Sequence, residues 1–465
     1  MSRENIHNPP ILELGPDFYD PVKPAVFPEA HLRYRNQEAA RFIGLDSLSD
    51  SAWKDHFWAF KPLPGNLSEP LALRYHGHQF MHYNHELGDG RGFLFAQFPV
   101  AGTWYDLGTK GSGQTPYSRD GDGRLTLKGA YREALATELL QSLGVNTSKT
   151  FSFFETGENL VRYDEPSPTR AAVLVRFSHG HIRIGTFQRL AHFEQKENIQ
   201  KLVDVCLKAY YPEIHSDDAD ERAFLFFQAV VRKCALLTAQ WMIAGFVHGV
   251  LNTDNINITG ESFDYGPYRF LPSYDVRFTA AYFDRQGLYS FGRQPVTMLW
   301  NLQRLGETLK LQFNTLPVEE IIEEFSDEFN AHVKRLFLQR LNLKSRGTEA
   351  DGSLLTAYFN FMESSPALYE QAFFDFFGGK ASPRIASSPQ KDFYQGEEFA
   401  NLMNQLQDFE VDDVTKMAHS YFQNSKPCTL LIEEIESIWK PIAEENDWGF
   451  FYKKLEEIRS FRGIY

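Results

Sequence analysis

The sequence predicts an α+β fold with two lobes, in which a β-containing N-terminal lobe precedes a mainly helical C-terminal lobe. Short apolar segments typical of strands lie before about residue 195, and long periodic segments typical of helices follow it. A polar loop lies near the middle of the chain, directly after a long apolar helical segment. We therefore predict an arm over residues 1–70 that packs on the body, an N-terminal lobe over 71–195 and a C-terminal lobe over 196–465.

The N-terminal elements follow from periodicity and turn residues. The arm is rich in Pro and weakly periodic. Two strands, over Phe93–Phe98 and Thr103–Lys110, are separated by a Gly-containing turn and predict a hairpin. Apolar residues at helical spacing predict a helix over Thr126–Leu143. Further strands are predicted at Val173–Arg176 and around Ile182–Phe187.

The C-terminal elements are predicted to be helical. The segment Arg222–Phe246 is strongly apolar and has no Gly or Pro before Gly245, which predicts a long buried helix. The region Glu319–Tyr465 has the apolar periodicity of several amphipathic helices, with no repeat and no low-complexity tract.

Composition limits the classes of partner. The chain has 465 residues, of which 43% are hydrophobic and 41 are Phe, enough for a sizeable core. The 47 basic and 61 acidic residues give a net charge of −14, so we expect no nucleic-acid partner and no anionic membrane partner. Any anionic ligand therefore needs a local basic cleft.

Cysteine usage and the N-terminus predict a cytoplasmic protein. Cys206, Cys234 and Cys428 lack both disulfide-framework and metal-ligand spacing, so we interpret them as structural thiols in a reducing compartment. We find no signal-peptide pattern and no run of about 18 apolar residues. The histidine-rich segment HGHQFMHYNHE matches none of the usual zinc patterns, so we interpret its histidines as packing and hydrogen-bonding groups.

The most informative segment is HGVLNTDNINITGESFDYG. In protein kinases, H-x-D-x-x-x-x-N supplies a base Asp and a metal-binding Asn, and a later D-F-G supplies the second metal ligand. Here His248, Asn255 and the D-Y-G beginning at Asp264 fall into register, but Val250 occupies the base position. This pattern predicts a two-lobed protein-kinase-like fold with Mg²⁺ on Asn255 and Asp264, Mn²⁺ being an alternative metal.

The missing base leaves two interpretations open. Because Val250 cannot accept a proton, the protein is either a dead kinase or an enzyme that does different chemistry with the same nucleotide. Asp254 is the carboxylate nearest to this vacant position in the sequence, so it is the candidate catalytic base. A loop cap is the structural alternative for such an Asp or Asn.

Candidate phosphate-binding residues lie in the N-terminal half. The tetrapeptide GDGR occurs twice, beginning at Gly88 and at Gly121, and each copy is either a phosphate nest or a tight turn with a solvated Arg. Lys110 ends a predicted strand and Glu133 lies in the next helix, so they form either the Lys–Glu pair of kinases or an unrelated surface pair. Arg176 and Arg183, seven residues apart in an apolar stretch, either meet an anion or reach solvent.

Between about Phe18 and Leu305 the chain contains long motifs in a fixed order that resemble those of the selenoprotein O family. In this chain they are YHGHQF, LGDGRG, LGTKGSGQTPYSRDGDGR, YREALATE, VRFSHGHIRIG, HGVLNTDN, FDYGP and YSFGRQPVTMLWNLQRL. The family consists of kinase-fold proteins that bind ATP in a flipped orientation and transfer AMP to protein hydroxyls. Beyond about Lys310 the resemblance is faint. Many members carry Cys or selenocysteine close to the C-terminus, whereas the last thiol here is Cys428, so we do not expect redox control through a C-terminal thiol.

The resemblance implies a set of site residues. Asp254 resembles the proton acceptor, Asn255 and Asp264 the magnesium ligands, and Glu133 the partner of Lys110. The residues that resemble the nucleotide-binding set are Gly88, Gly90, Arg91, Lys110, Asp122, Gly123, Arg176, Arg183 and Asp264.

The predicted function is therefore Mg²⁺-dependent transfer of AMP, or of another nucleotide such as UMP, from the nucleoside triphosphate to Ser, Thr or Tyr hydroxyls of proteins, with release of pyrophosphate. The protein itself is a further candidate acceptor. A conventional phosphotransferase and a catalytically silent nucleotide-binding scaffold are the alternatives.

Overall fold

The computed structural model describes residues 8–163 and 165–465, so the first seven residues of the predicted arm lie outside the described residues. Most strands lie before residue 180, and β11 and β12 form a separate pair. The strands are β1 (Tyr19–Pro21), β2 (His31–Arg35), β3 (Leu71–Leu73), β4 (Gly77–Gln79), β5 (His82–Asn84), β6 (Leu94–Val100), β7 (Thr103–Lys110), β8 (Leu125–Thr126), β9 (Lys149–Leu160), β10 (Thr169–Ser178), β11 (Phe246–Val247) and β12 (Arg269–Phe270).

The main sheet is antiparallel in all its described pairs and has the order β1-β3-β6-β7-β10-β9-β2, with β8 on β10. Successive side chains of a strand point to opposite faces of the sheet, and each face of this sheet packs against a different hydrophobic core. In β10, Leu174 belongs to the core that includes Leu135 of the helix Leu127–Ser142, whereas Val175 belongs to the core that includes Trp53.

Helices dominate the chain after residue 183, which confirms a sheet-rich N-terminal region followed by a helical C-terminal region. The helices are α1 (Pro10–Leu14), α2 (Gln37–Phe42), α3 (Asp50–Phe57), α4 (Leu127–Ser142), α5 (Ile184–His192), α6 (Lys196–Tyr210), α7 (Ala219–Ile243), α8 (Gln294–Leu309), α9 (Val318–Leu341), α10 (Thr348–Ser364), α11 (Tyr369–Asp375), α12 (Arg384–Ser387), α13 (Glu397–Leu406), α14 (Val414–Met417), α15 (Ile432–Glu445) and α16 (Gly449–Ser460).

The predicted hairpin and the helix after it are confirmed. Strands β6 and β7 pair with Val100 opposite Thr103, so the turn has two residues. Both, Ala101 and Gly102, have positive φ angles of 51° and 87°, as a turn that follows the twist of the hairpin requires. Helix α4 begins where the Thr126 hydroxyl accepts a hydrogen bond from the Gly129 N–H at 3.1 Å.

The predicted strand around Ile182–Phe187 is wrong, because α5 begins at Ile184. Arg183 is still extended, with φ −111° and ψ 162°, and its N–H donates to the Thr186 hydroxyl at 3.2 Å. This hydrogen bond satisfies a backbone donor at the start of the helix, so the apolar residues continue as a helix. The predicted strand at Val173–Arg176 is confirmed within β10.

Helix α7 has the length and composition of a membrane-spanning helix, but 56% of its most apolar window is buried inside the fold. Packing against α9 accounts for its apolar surface. The long helix predicted at Arg222–Phe246 is thus confirmed, with bounds Ala219–Ile243.

Both ends of the described chain pack on the sheet or on α4. Strands β1 and β2, from the predicted arm, pair with β3 and β9 in the main sheet. At the other end, the Tyr131 hydroxyl of α4 donates to the Ile435 carbonyl of α15 at 3.0 Å. Arg459 of α16 pairs with Glu138 of α4 at 2.6 Å. Helix α4 is therefore held between the sheet and the C-terminal helices.

Candidate active site

A buried histidine joins the start of the loop after α7 to the segment just before Asp264. His248 is buried, and its Nε2 lies 2.9 Å from the Phe263 carbonyl oxygen. This contact brings the first part of the loop next to Asp264, whose φ of 62° lies in the left-handed region. A non-Gly residue there has an uncommon backbone conformation, and such conformations cluster at functional sites.

Four charged side chains from different elements meet beside this loop. Lys110, at the end of β7, lies 2.9 Å from Glu133 of α4 and 2.8 Å from Asp264. Arg176 of β10 donates to the same two carboxylates, at 2.7 Å to Glu133 and 3.2 Å to Asp264. The predicted pairing of Lys110 with Glu133 is confirmed. Two cations and two carboxylates therefore form one network, in which each cation contacts both carboxylates.

The network keeps its carboxylates ionised. Burial by itself would raise the pKa of Asp264, but Lys110 and Arg176 hold it well below the usual range. The pKa of Glu133 is also lowered, because Arg176 and Lys110 outweigh its burial. Asp264 is therefore available as an anionic oxygen ligand at neutral pH.

Arg183 is buried and, like Arg176, lies over the ring of the loop residue Phe263. Its guanidinium lies 4.2 Å from the centre of the Tyr75 ring, 3.3 Å from an Asp89 oxygen and 3.3 Å from the Asp254 carbonyl oxygen. Its Nε has no hydrogen-bond partner among the described residues. A buried guanidinium with an unused donor suits an anionic ligand.

Asp254 is buried and only partly hydrogen-bonded. Burial raises the pKa of its carboxyl to about 6, and the nearby Arg183 opposes this shift only in part. Its Oδ1 has no hydrogen-bond partner within the described part of the chain. A Cβ atom added at Gly77 would lie 2.8 Å from this oxygen, so β4 forms a close wall behind the carboxylate. A carboxylate with a pKa near neutrality in the wall of a cavity has the chemical property that proton abstraction needs.

Asn255, the residue after Asp254, points its amide group at the vacant base position. Its Nδ2 donates to the Val250 carbonyl oxygen at 3.0 Å. The amide nitrogen is therefore used, and Oδ1 is left as an acceptor. An amide oxygen together with the ionised Asp264 is the kind of donor set that Mg²⁺ takes alongside phosphate oxygens and water. In the described residues, no group of three or more His, Cys, Asp or Glu forms a denser metal site.

A cavity of about 880 Å³ opens beside Asp254 and contains both glycine turns. Of the predicted site residues it is lined by Gly88, Gly90, Arg91, Asp122, Gly123 and Asp254.

The glycines of this cavity have two different structural reasons. Gly123 has a φ of 69°, and a Cβ there would lie 2.2 Å from the Gly113 carbonyl carbon. At Gly88, a Cβ would lie 2.3 Å from the Tyr117 ring, and at Gly90 it would lie 2.8 Å from the Tyr117 carbonyl oxygen. Of these three glycines, only Gly123 has a positive φ that favours glycine. Gly88 and Gly90 are required because a side chain at either position would collide with Tyr117.

The second GDGR copy uses its charged residues within the protein. Asp122 pairs with Arg162 at 2.8 Å, and Arg124 pairs with Glu158 at 2.9 Å. Arg162 holds the pKa of Asp122 below its usual range despite partial burial. The carboxylate of Asp122 faces the cavity as part of an ion pair, while the backbone at Gly123 comes close to the facing loop at Gly113.

The structure therefore groups the predicted site residues into two adjoining parts. One part is the cavity with Asp254 and the glycine turns, and the other is the charge network around Asp264. Arg183 reaches the first part through its bond to the Asp254 carbonyl. Of the histidines of HGHQFMHYNHE, His76 forms a hydrogen bond with the Tyr83 hydroxyl at 2.7 Å, and His78 forms one with the Gln188 amide at 2.7 Å.

Three further residues of the site are absent from the sequence prediction. Asp89 is buried, accepts the Leu73 N–H at 3.0 Å and pairs with Arg183. Its position between two site glycines is a signal that could have identified it. Tyr75 and Arg162 line the cavity; Tyr75 begins the YHGHQF motif, which could have identified it, whereas no sequence pattern marks Arg162.

Comparison with known proteins gives a consistent family. The SelO family model, described as protein adenylyltransferase SelO, matches residues 3–459, well past the point near Lys310 at which the motifs become faint. The protein nucleotidyltransferase YdiU of Synechocystis sp. is 42% identical over 478 aligned positions, covering 98% of each chain. The protein of that name from Gloeobacter violaceus is 42% identical over 98% of this chain and 97% of its own. The one from Vibrio cholerae is 36% identical over 76% and 71%, respectively.

The resemblance predicted from the motifs is thereby confirmed over nearly the whole chain. The names of the family and of these relatives indicate protein nucleotidyltransferase activity. The chain belongs to the SelO family and is an enzyme of the nucleotidyltransferase class.

Proposed function

We propose that the protein transfers AMP from ATP to Ser, Thr or Tyr hydroxyls of proteins, with release of pyrophosphate. The names of the family and of its relatives support nucleotidyl transfer to a protein. The acceptor residues, the choice of ATP over UTP and the protein itself as an acceptor are parts of this proposal. A two-lobed protein-kinase-like architecture, with ATP bound in the flipped orientation that the family resemblance implies, would turn the α-phosphate toward the acceptor.

One observation carries the proposal. Asp254 has a pKa of about 6 and lines the cavity that contains both glycine turns. Val250, in contrast, stands where a kinase carries its base and cannot accept a proton. The proposed proton acceptor therefore lies at a different place in the loop from the base of a kinase, which supports transfer of a different phosphorus atom.

In the proposed step, the acceptor hydroxyl gives its proton to Asp254 while its oxygen attacks the α-phosphorus. The bond between the α-phosphorus and the oxygen that bridges it to the β-phosphorus breaks. Pyrophosphate leaves with that bridging oxygen and its electron pair, and the acceptor oxygen keeps the AMP group. Lys110, Arg176 and Arg183 lie where they could offset the charge of the phosphates, since charge-assisted donors stabilise developing negative charge.

Asn255 and Asp264 would hold Mg²⁺, with Mn²⁺ as an alternative, and the ion would supply neutralisation of the phosphate charge. The donor set supports this assignment because Asp264 is kept ionised and Asn255 leaves its amide oxygen available. The network around Asp264 in turn holds Lys110 and Arg176 close to the same carboxylate.

The label that stays on the product tests the proposal. The protein is incubated with Mg²⁺ and a protein acceptor, or alone, and with ATP labelled at either the α- or the γ-phosphate. We expect covalent α-label, no γ-label, a mass gain of one AMP and released pyrophosphate. A parallel series with α-labelled UTP reports the nucleotide preference.

Two alternatives give different results in this experiment. A conventional phosphotransferase would attach γ-label, and a catalytically silent scaffold would attach neither label while ATP and Mg²⁺ still raise its melting temperature. The matched control is Asp254→Asn, which removes the proton acceptor and keeps the shape of the side chain. Covalent γ-label that depends on Asp264 would refute AMP transfer.

A further inference from the structure

A second cavity, of about 360 Å³, lies next to the 880 Å³ cavity beside Asp254, which we call the nucleotide cavity after its proposed ligand. The second cavity is lined mainly by basic side chains, and we call it the cationic cavity. Within the described part of the chain, its one acidic lining residue is Glu165. Its basic lining residues are Arg91, Lys110, Arg124, Lys128, Arg132 and Arg162. Lys110, Arg124, Lys128 and Arg162 also contact carboxylates of the protein, whereas Arg91 and Arg132 have no ion pair among the described residues. A cavity lined by six basic side chains, two of them without an internal ion pair, suits an anion.

The elements around this cavity connect it to the proposed chemistry. Lys128 and Arg132 lie four residues apart on the first turns of α4, so they share one face of the helix. The lining also includes Tyr265 and Gly266, which directly follow Asp264. Lys110, which lines the cavity, lies 2.8 Å from Asp264. Lys110 therefore belongs both to the charge network around Asp264 and to the lining of the cationic cavity.

The cations of α4 are held in place from the side of the C-terminal region and the loop. Lys128 pairs with Glu436 of α15 at 2.7 Å. Arg132 donates through Nη2 to the Tyr268 carbonyl at 3.1 Å and lies over the Tyr268 ring at 4.9 Å. Its Nε has no hydrogen-bond partner among the described residues. These contacts order the two side chains and leave donor capacity for a ligand.

The positions of the two cavities give a direction to the reaction. Asp254 lines the first cavity, whereas Lys110 lines the second. In an in-line displacement at phosphorus, the leaving group departs on the side opposite the attacking oxygen. An acceptor hydroxyl at Asp254 would then send the leaving group toward Lys110 and the cationic cavity.

We propose that this cavity receives the pyrophosphate set free by nucleotidyl transfer, a compact polyanion that suits several convergent Arg and Lys donors. The proposal rests on the proposed function, because it takes pyrophosphate as the leaving group. It assigns Lys128 and Arg132 to the product and leaves the binding of ATP to the nucleotide cavity and the charge network.

The test compares pyrophosphate and ATP binding in the full chain, measured by calorimetry, with ATP titrated into an Asp254→Asn background. The double variant Lys128→Gln/Arg132→Gln should raise the Kd of pyrophosphate at least about tenfold, since it removes two charged donors. The Kd of ATP should change less than about twofold. The charge-matched control Lys196→Gln/Lys391→Gln, at exposed lysines outside the cavity lining, should change neither value.

A second variant acts in the opposite direction and does not remove the packing contacts of α4. Glu165→Gln removes the acidic lining residue, so it should tighten pyrophosphate binding a few-fold. An equal rise of both Kd values in the double variant would mean that the cavity holds the terminal phosphates of ATP before transfer, and would overturn the proposal. Unchanged pyrophosphate binding in both variants would also overturn it. Pyrophosphate binding is measured without ATP, so failure of α-label transfer would refute the proposed function and leave this measurement intact.

Discussion

Lys110 and Asp264 form an ion pair of 2.8 Å that joins the end of β7 to the loop after α7. The same ammonium lies 2.9 Å from Glu133, so one side chain connects the sheet, α4 and the loop. The geometry of the proposed metal ligand thus depends on residues from three separate parts of the chain. This dependence makes the network a suitable target for substitutions.

Replacing Asp264 should remove activity and keep the fold. Its side chain is 29% exposed, whereas that of Glu133 is 1% exposed, so loss of the Asp264 charge should cost less stability than loss of the Glu133 charge. Asp264→Asn should therefore abolish AMP transfer, because the metal ion that offsets the phosphate charge loses its anionic ligand. The variant should change the melting temperature little. Transfer is measured with α-labelled ATP and stability by thermal unfolding. Full activity in Asp264→Asn would refute the assignment of the site.

The pair Lys110 and Glu133 should show strong thermodynamic coupling. Their side chains are only 7% and 1% exposed, and loss of either one leaves the network with one uncompensated charge. Lys110→Ala and Glu133→Ala should each lower the free energy of unfolding by about 3–5 kcal/mol. The double variant restores the balance of charge, so it should cost less than the sum by about 0.5–3 kcal/mol. Denaturant unfolding of the four proteins measures this coupling, and simple additivity would contradict it.

The raised pKa of Asp254 predicts an acidic limb in the pH profile of activity. A general base acts when deprotonated, so kcat/KM should rise with pH through about 6, the pKa of this carboxyl, and then level off. Asp254→Asn should lower kcat by roughly 10²–10⁴-fold and abolish this limb, with the Kd of ATP little changed. If the variant weakens ATP binding and leaves kcat unaffected, Asp254 positions the nucleotide and is not the base.

Val250→Asp supplies the matched comparison for that prediction. It places a carboxylate at the position where kinases carry their base, next to the Asn255 amide that donates to the Val250 carbonyl. We expect no γ-label transfer from this variant, because the α-phosphate would still face the acceptor. Transfer of γ-label by Val250→Asp would show that the missing carboxylate alone separates this protein from a kinase.

The parts of the structure that the sequence predicts are those decided by local patterns. The hairpin β6–β7 follows from alternation around a Gly-containing turn, and α4 follows from helical spacing after the Thr126 cap. The Lys110–Glu133 pair is predictable too, because a strand end and the next helix are close in sequence. The grouping of Asp254 with the glycine turns is consistent with the family resemblance.

The remaining features depend on contacts between distant residues. The start of α5 is set by the Arg183 N–H bond to the Thr186 hydroxyl, while the apolar pattern by itself favours a strand. Arg162 reaches Asp122 from 40 positions along the chain, and no local pattern predicts that ion pair. The cationic cavity likewise combines the turns of α4 with loops that are distant in sequence.

The C-terminal helix α16 should stabilise the protein through one buried carboxylate of α4. Glu138 is 3% exposed and accepts hydrogen bonds from Arg459, at 2.6 Å and 3.1 Å, and also from Arg462. Burial by itself would raise the pKa of Glu138, but the Arg459 bonds lower it, so the carboxylate stays charged. Arg459→Ala/Arg462→Ala should then leave a buried charge with the Tyr34 hydroxyl as its remaining partner and lower the free energy of unfolding by about 3–5 kcal/mol.

The companion variant Glu138→Gln separates the effect of charge from the effect of packing. In the background of the double Arg variant, it removes the uncompensated charge and keeps the side-chain volume. It should therefore recover part of the lost stability, whereas in the wild-type background it should be destabilising, because both guanidinium groups lose their anionic partner. Urea unfolding of the four proteins gives the two differences. Equal effects of Glu138→Gln in both backgrounds would mean that α16 stabilises α4 by apolar packing, such as that of Phe451 on Tyr131, and not through this carboxylate.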